Sequence, residues 1–236
     1  MAHPGGTRLQ VLLAGVTFLS ACTTAASMEP NMAAETSTTG PLPPITTTTS
    51  PPPTRSVTDQ AWTPFATVGG LVLTHPSARV ERVAFHESNH EGAQPLVALP
   101  TAASPVALEA RERGTGSQTA ADVVVDPGLE VRAPVSGRVK RAGTYVLYCK
   151  HSDDYVVIAP DVRPRWEVKI LHIDGVRVRP GQRVEAGVTV LAPRATQLPF
   201  ESQVDELRTL DPAWPHVHIE VVNPAIKNRP SPNSGC

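Results

Sequence analysis

The phrase Pro215-His216-Val217-His218-Ile219-Glu220-Val221-Val222 carries the clearest chemical signal in this chain. Its alternation of polar and apolar residues predicts a β-strand, in which side chains two apart share a face. His216 and His218 would then project side by side, about 7 Å apart along the strand, while Val217 and Ile219 turn the opposite way. Two imidazoles so placed can share a metal ion and a water molecule. A His-x-His pair on a strand is also a common surface or packing feature, so it needs partners before it means chemistry. A second phrase, His86-Glu87-Ser88-Asn89-His90, matches HExxH, in which a helix brings two histidines to one metal. This one follows a strand-like run, contains Ser and Asn and leads into Glu91-Gly92, all of which disfavour a helix. Extended, His86 and His90 would stand roughly 13 Å apart, too far to chelate one ion.

The elements that must position these residues read as strands. Past Trp62 the apolar pattern is short and alternating, and Gly or Pro interrupts it about every ten residues. Val72–Leu73, Val80–Phe85, Val123–Val125, Val131, Val135–Val139, Tyr145–Tyr148, Tyr155–Ile158, Val168–His172, Val188–Leu191 and His216–Val222 all fit this rhythm. The expected fold is all-β: an antiparallel sandwich or open barrel with one or two short helices. Glu201–Arg208 is the clearer helical candidate, and Ala103–Arg113 the weaker one, limited by Pro105. Two turn-rich phrases, Val131–Val139 and Val178–Gly187, each place a glycine where a hairpin must turn sharply.

Those two phrases resemble the paired glycine hairpins of lipoyl/biotinyl carriers and of the lysostaphin-like, or LytM-type, zinc endopeptidases of peptidoglycan. The His216-Val217-His218-Ile219-Glu220 phrase resembles the latter family's His-Leu-His-Phe-Glu. Ile170-Leu171-His172-Ile173 stands where the family has Tyr-x-His-Leu, followed by Val176, Val178, Gly181, Val184 and Gly187 at the family's spacing. The resemblance covers about residues 114–222 and implies a duplicated, lipoyl-like hairpin core. It also implies Asp122 and His218 as metal ligands, with His216 and His172 flanking the attacking water as base and as stabiliser of the tetrahedral intermediate. The implied chemistry is zinc-assisted amide hydrolysis.

One decisive position departs from the family. Gln118 stands four residues before Asp122, where the family has its first histidine ligand, and Ala120 replaces a glycine. A catalytic zinc site takes three protein ligands and a water. The loss favours a non-catalytic descendant that binds wall peptide or a cell-wall or division protein. The alternative is an active endopeptidase whose third ligand, His86, His90 or His151, comes from outside the usual phrase. A lipoyl-like structural adaptor of an envelope assembly is a third reading, but it has no use for three convergent imidazoles. Pro193–Trp214 reads as an insertion that would reshape or cover the groove, with Phe200, Leu207 and Trp214 available to pack.

The chain's beginning points to export. Arg8, the apolar run Val11–Leu19 and the small residues before Cys22 follow the order of a signal peptide, and the run is too short to span a bilayer. Leu19-Ser20-Ala21-Cys22 resembles the lipobox of bacterial lipoproteins, which implies acylation at Cys22. Residues 23–60, rich in Thr, Ser, Ala and Pro, read as a disordered tether able to reach on the order of 100 Å. Residues 61–113 then read as an N-terminal β extension, 114–225 as the lysostaphin-like domain and 226–236 as a C-terminal tail. The expected location is the outer face of the cell membrane, in the wall zone. The chain has 21 basic and 22 acidic side chains, no excess that would gather nucleic acid. With Cys22 lipidated, Cys149 and Cys236 would form a disulfide.

Overall fold

Alternation of apolar and polar residues governs most of what the computed structural model describes, residues 53–60 and 62–229. Cys22, Cys236, the expected signal segment and most of the expected tether lie outside these residues. In chain order the strands begin with β1 (Thr58–Asp59), β2 (Pro64–Val68), β3 (Leu71–Thr74), β4 (Arg79–His86) and β5 (Val97–Ala98). There follow β6 (Pro105–Ala107), β7 (Ala120–Val125), β8 (Val131–Arg132), β9 (Gly137–Leu147) and β10 (His151–Pro160). The last are β11 (Glu167–Asp174), β12 (Arg183–Val184), β13 (Val190–Ala192), β14 (Arg194–Ala195) and β15 (His216–Val222).

Ten of them share one sheet. The order across it is β1-β4-β7-β15-β11-β10-β9-β12, with β6 added to β4 and β14 to β11. Two smaller sheets, β3-β2-β5 and β13-β8, complete the all-β architecture, and the sheets do not close into a barrel. Among the described residues only β4 and β6 pair in parallel. One face of the large sheet supplies Val83 and Phe85 from β4, Ala121 and Val123 from β7, and Val217 and Ile219 from β15. These meet Phe65 and Leu73 of the smaller sheet and Ile158, Ile170 and Ile173 in a single buried cluster. Burial of such side chains at roughly 25 cal/mol per Å² of apolar surface is what holds the sheets together. The stretch 61–113 joins this arrangement directly, because its β4 lies between β1 and β7 in the sheet.

The two expected helices differ. Within Glu201–Arg208 there is only a 3-10 turn at Asp205–Leu207. The Asp205 carboxylate accepts the backbone N–H and the hydroxyl of Ser202, a local closure that competes with helical pairing. Within Ala103–Arg113 the chain is extended instead, as β6. Val83 N–H donates to Ala103 O and Leu108 N–H to Phe85 O, so the neighbouring strand takes up the backbone polar groups.

Two positions explain how the hairpins and the smaller sheet lock. At the start of β9, Gly137 pairs with Pro160 of β10 and Val184 of β12. A β-carbon there would lie 2.2 Å from Ala159 O and 2.8 Å from Ile158 Cγ2. Only a glycine lets the two backbones approach this closely. His75, fully buried, ties the segment after β3 to its surroundings. Its Nδ1 lies 2.7 Å from Thr63 O, and its Nε2 accepts the Ala103 N–H at 3.2 Å. Burial pulls its pKa down, opposed by the hydrogen bond to the Thr63 carbonyl.

Gly137→Ala should lower Tm by roughly 5–10 °C, because overpacking against a backbone carbonyl has little room to relax; an unchanged melting curve would mean that β9 does not cross β10 at this position. His75 should make stability fall with acidity. Its lowered folded-state pKa means that the contribution is complete above the unfolded value, about 6.5, and is lost as pH falls through the folded one. Urea midpoints measured from pH 7.5 to 5 should therefore drop more for the wild type than for the non-titrating His75→Gln.

Candidate metal centre

Three adjacent strands put polar side chains on the face opposite the core. The registers Ala84↔Asp122 and Asp122↔His218 form one cross-strand row, and His86↔Ala120 and Ala120↔Glu220 form the next. Residues diagonal to one another across such rows are within reach of long side chains. Ala84 and Ala120, both fully buried, leave room between the larger groups for the imidazoles of His86 and His218.

His86, Asp122 and His218 each offer one ligand atom, and the three atoms lie within 4.8 Å of one another. His218 Nδ1 is 2.9 Å from Asp122 Oδ1, and His86 Nε2 is 3.0 Å from the same oxygen. Two ligands held about 2.1 Å from one zinc in tetrahedral array stand about 3.4 Å apart, so small side-chain adjustments would accommodate the ion. The His86 ring gives the most direct test of fit. Its Nδ1 faces the Glu87 carbonyl at 3.0 Å, while Nε2 is buried, stands 3.0 Å from Asp122 Oδ1 and makes no well-aligned hydrogen bond among the described residues. A buried imidazole nitrogen with no aligned hydrogen bond, beside a carboxylate and a second imidazole, suits a metal ligand, and two histidines with one carboxylate is a donor set that catalytic zinc uses.

The surroundings are those expected of metal ligands. Glu220 Oε2 lies 3.8 Å beyond the Nε2 of His218, and that carboxylate is itself held by Lys169 Nζ at 2.8 Å and by the Ser88 hydroxyl. Groups behind the ligands fix ring orientation. Burial pushes the Asp122 carboxyl up, but the neighbouring charges of His86 and His216 and the hydrogen bond from His218 hold it well below the usual carboxylate range. Burial drives His216 down to about 4 against the pull of Asp122. His218 rises to about 9, because its bonds with Asp122 and Glu220 outweigh burial.

The sequence-predicted residues converge. His216 Nε2 lies 3.8 Å from Asp122 Oδ2, and the His172 ring centroid is 5.1 Å from that of His216 and 5.9 Å from that of His218. Gln118 stays apart: it lies in the turn before β7, where its carbonyl accepts the Leu96 N–H. His90 turns back to accept the Gly92 N–H, and His151 rests against Phe200. Of the three candidates for a replacement ligand, His86 alone reaches the site. No helix forms through His86–His90, so HExxH contributes one histidine rather than two. Asp153, which bonds to His172, was not singled out from sequence. An aspartate in a strand ending beside another strand's histidine is invisible until their pairing is known.

These groups line a groove of about 1230 Å³. One wall comes from the β9–β10 hairpin, including the exposed Val146 at the end of β9 and Tyr148 in the turn, and from Leu198 and Phe200 of the insertion, with Tyr148 and Phe200 ring centroids 5.3 Å apart. The other carries Glu91, Arg111 and Arg113. Trp214 instead packs with Val204 on Ala84 and Val124, beneath the Arg55 guanidinium. Cys149, in the β9–β10 turn, is disulfide-bonded, and its partner lies outside the described residues.

No protein-family model matches this chain, and no curated protein matches it. Among solved structures it is similar to the crystal structure of a zinc-containing peptidase from Vibrio cholerae, with 18% sequence identity and a TM-score of 0.35. The alignment covers 72% of this chain and 46% of that one, so this chain spans less than half of its neighbour's length.

Proposed function

We propose that this protein is a zinc-dependent hydrolase of amide bonds, acting on peptidoglycan peptides at the outer face of a bacterial cell membrane. The observation that carries the reading is the convergence of His86, Asp122 and His218 within 4.8 Å at a groove that also presents His172 and His216. His86 takes the place that Gln118 leaves, from the neighbouring strand rather than from the same phrase. This favours the active reading over the non-catalytic one. The resemblance of the glycine hairpins and of the His-x-His phrase supports the substrate class. Leu19-Ser20-Ala21-Cys22 supports lipid anchoring, with the Thr/Ser/Pro-rich stretch as a spacer into the wall.

Zinc in this site would supply a lowered pKa for water and a polarised scissile carbonyl. The chain's own residues do the rest. His86, Asp122 and His218 would hold the ion beside the groove. His216 takes a proton from the attacking water, and His172, as its imidazolium, donates a hydrogen bond from Nε2 to the oxyanion as the carbonyl carbon becomes tetrahedral. The groove orients an extended peptide so that its scissile amide lies over the three imidazoles.

Zinc at about 100 times its Kd should raise the Tm of the purified protein by about 5–10 °C. His86→Ala, Asp122→Ala and His218→Ala should abolish that rise and Gln118→Ala should preserve it; a His86→Ala variant that still binds one zinc would sink the ligand assignment. With zinc bound, digestion of peptidoglycan should release cross-bridge peptides, and His216→Ala should slow it by about 10²–10⁴-fold while keeping the metal. Stoichiometric zinc with no released peptide from any wall preparation would leave a metal-binding wall module in place of an enzyme.

A further inference from the structure

Strand β11 contains a break in alternation that nothing above explains. Ile170 and Ile173 both face the core although three residues apart, and the pairing with β10 slips between Tyr155↔Leu171 and Asp154↔Ile173. His172 is the extra residue of this β-bulge, and its φ is +61°. A histidine in the left-handed region is disfavoured, and a bulge next to a site commonly re-aims one side chain. Here it turns His172 out of the core and into the groove.

What holds this conformation is Asp153 of β10. Its Oδ2 accepts the backbone N–H of His172 at 3.2 Å, lies 2.7 Å from His172 Nδ1 and accepts the Tyr145 hydroxyl at 2.7 Å. Tyr145 is the register partner of Asp153 across β9 and β10, which places its hydroxyl on the same carboxylate. The Asp153 side chain is 1% exposed, and its Oδ1 has no partner among the described residues. An ionised carboxylate so buried is costly unless its charge is used. Burial and the bond to Asp153 both push the Tyr145 phenol above its ordinary value, so it stays a neutral donor.

We infer that Asp153, supported by Tyr145, is the positioning residue of the hydrolytic site, holding His172 on its bulge as the Nδ1–H tautomer so that Nε2 is the nitrogen turned to the groove. The role assigned to His172 rests on the amide-hydrolase reading. The carboxylate does not accept the proton; it fixes the ring and stabilises the imidazolium, as the aspartate does in Ser-His-Asp triads, where its replacement by Asn lowers kcat about 10⁴-fold. Tyr145 supports Asp153, its hydroxyl converging on the same carboxylate oxygen as the backbone N–H and ring Nδ1 of His172. The bulge and the hydrogen bonds thus act together: the backbone N–H and the ring N–H of one residue are bound by one oxygen.

The test has two independent readouts. Long-range ¹H–¹⁵N correlation spectra of the zinc-loaded protein, with the His172 signal assigned from its loss in His172→Gln, should show Nδ1 protonated and Nε2 unprotonated in the neutral ring. Asp153→Ala should abolish that preference. Should Asp153→Ala fail to fold, the isosteric Asp153→Asn serves for the kinetics: kcat on wall peptide should fall by at least about 10²-fold, with KM within threefold and zinc stoichiometry unchanged. Tyr145→Phe should lower kcat by a smaller factor in the same pattern. A neutral His172 ring protonated at Nε2 instead of Nδ1 in the wild type, or undiminished kcat in Asp153→Asn, overturns the inference. If the wild type hydrolyses nothing yet shows the Nδ1–H tautomer and loses it in Asp153→Ala, the positioning role stands and the hydrolase reading falls.

Discussion

The site depends on the cross-strand register of β4, β7 and β15. Asp122 pairs with Ala84 on one side and His218 on the other. Because side chains alternate along a strand, this register puts Phe85, Val123 and Ile219 into the core whenever His86, Asp122 and His218 stand on the opposite face. A slip of one residue on any of the three would bury a charged group and expose an apolar one. Core packing therefore enforces the geometry of the site, and the site's precision comes from the apolar face rather than from its own hydrogen bonds.

That arrangement concentrates ionisable groups where water is scarce. Asp122 and His216 are buried at the foot of the groove, and the carboxylate is kept ionised by the histidines around it. Such a cluster is expensive to assemble without a cation to share, since several imidazoles compete for one carboxylate. A metal ion held by His86, Asp122 and His218 together would resolve the competition. The second carboxylate, Asp153, sits on the far side of His172 and bonds to that ring, to its backbone N–H and to the Tyr145 hydroxyl. Two aspartates thus divide the work, one facing the metal position and one facing away.

The segment before residue 114 is part of this machinery. Its strand β4 pairs with β7 and delivers His86, and Glu87 just beyond accepts the backbone N–H groups of Arg111 and Arg113, which shapes the far wall of the groove. The insertion before β15 closes the near wall through Phe200 and anchors itself through Val204 and Trp214. Arg55 bridges both parts by donating to Glu81 and to the carbonyl of Leu210.

Local patterning was enough to read the all-β class, most strands and the side-by-side placement of His216 and His218, because alternation and turn residues act over a few positions. The helical expectations failed where long-range partners outcompeted local propensity, at β6 beside β4 and at the Ser202–Asp205 closure. From its residues alone the chain determined that histidines and an aspartate of metal-binding type were present, and that Gln118 could not complete their set. Only the tertiary structure decided that His86 stands beside Asp122 and His218 and that Asp153 bonds to His172. Both depend on which strands become neighbours across gaps of 36 and 19 positions in the chain, and that choice is made by burial of the shared core, which no short stretch of sequence encodes.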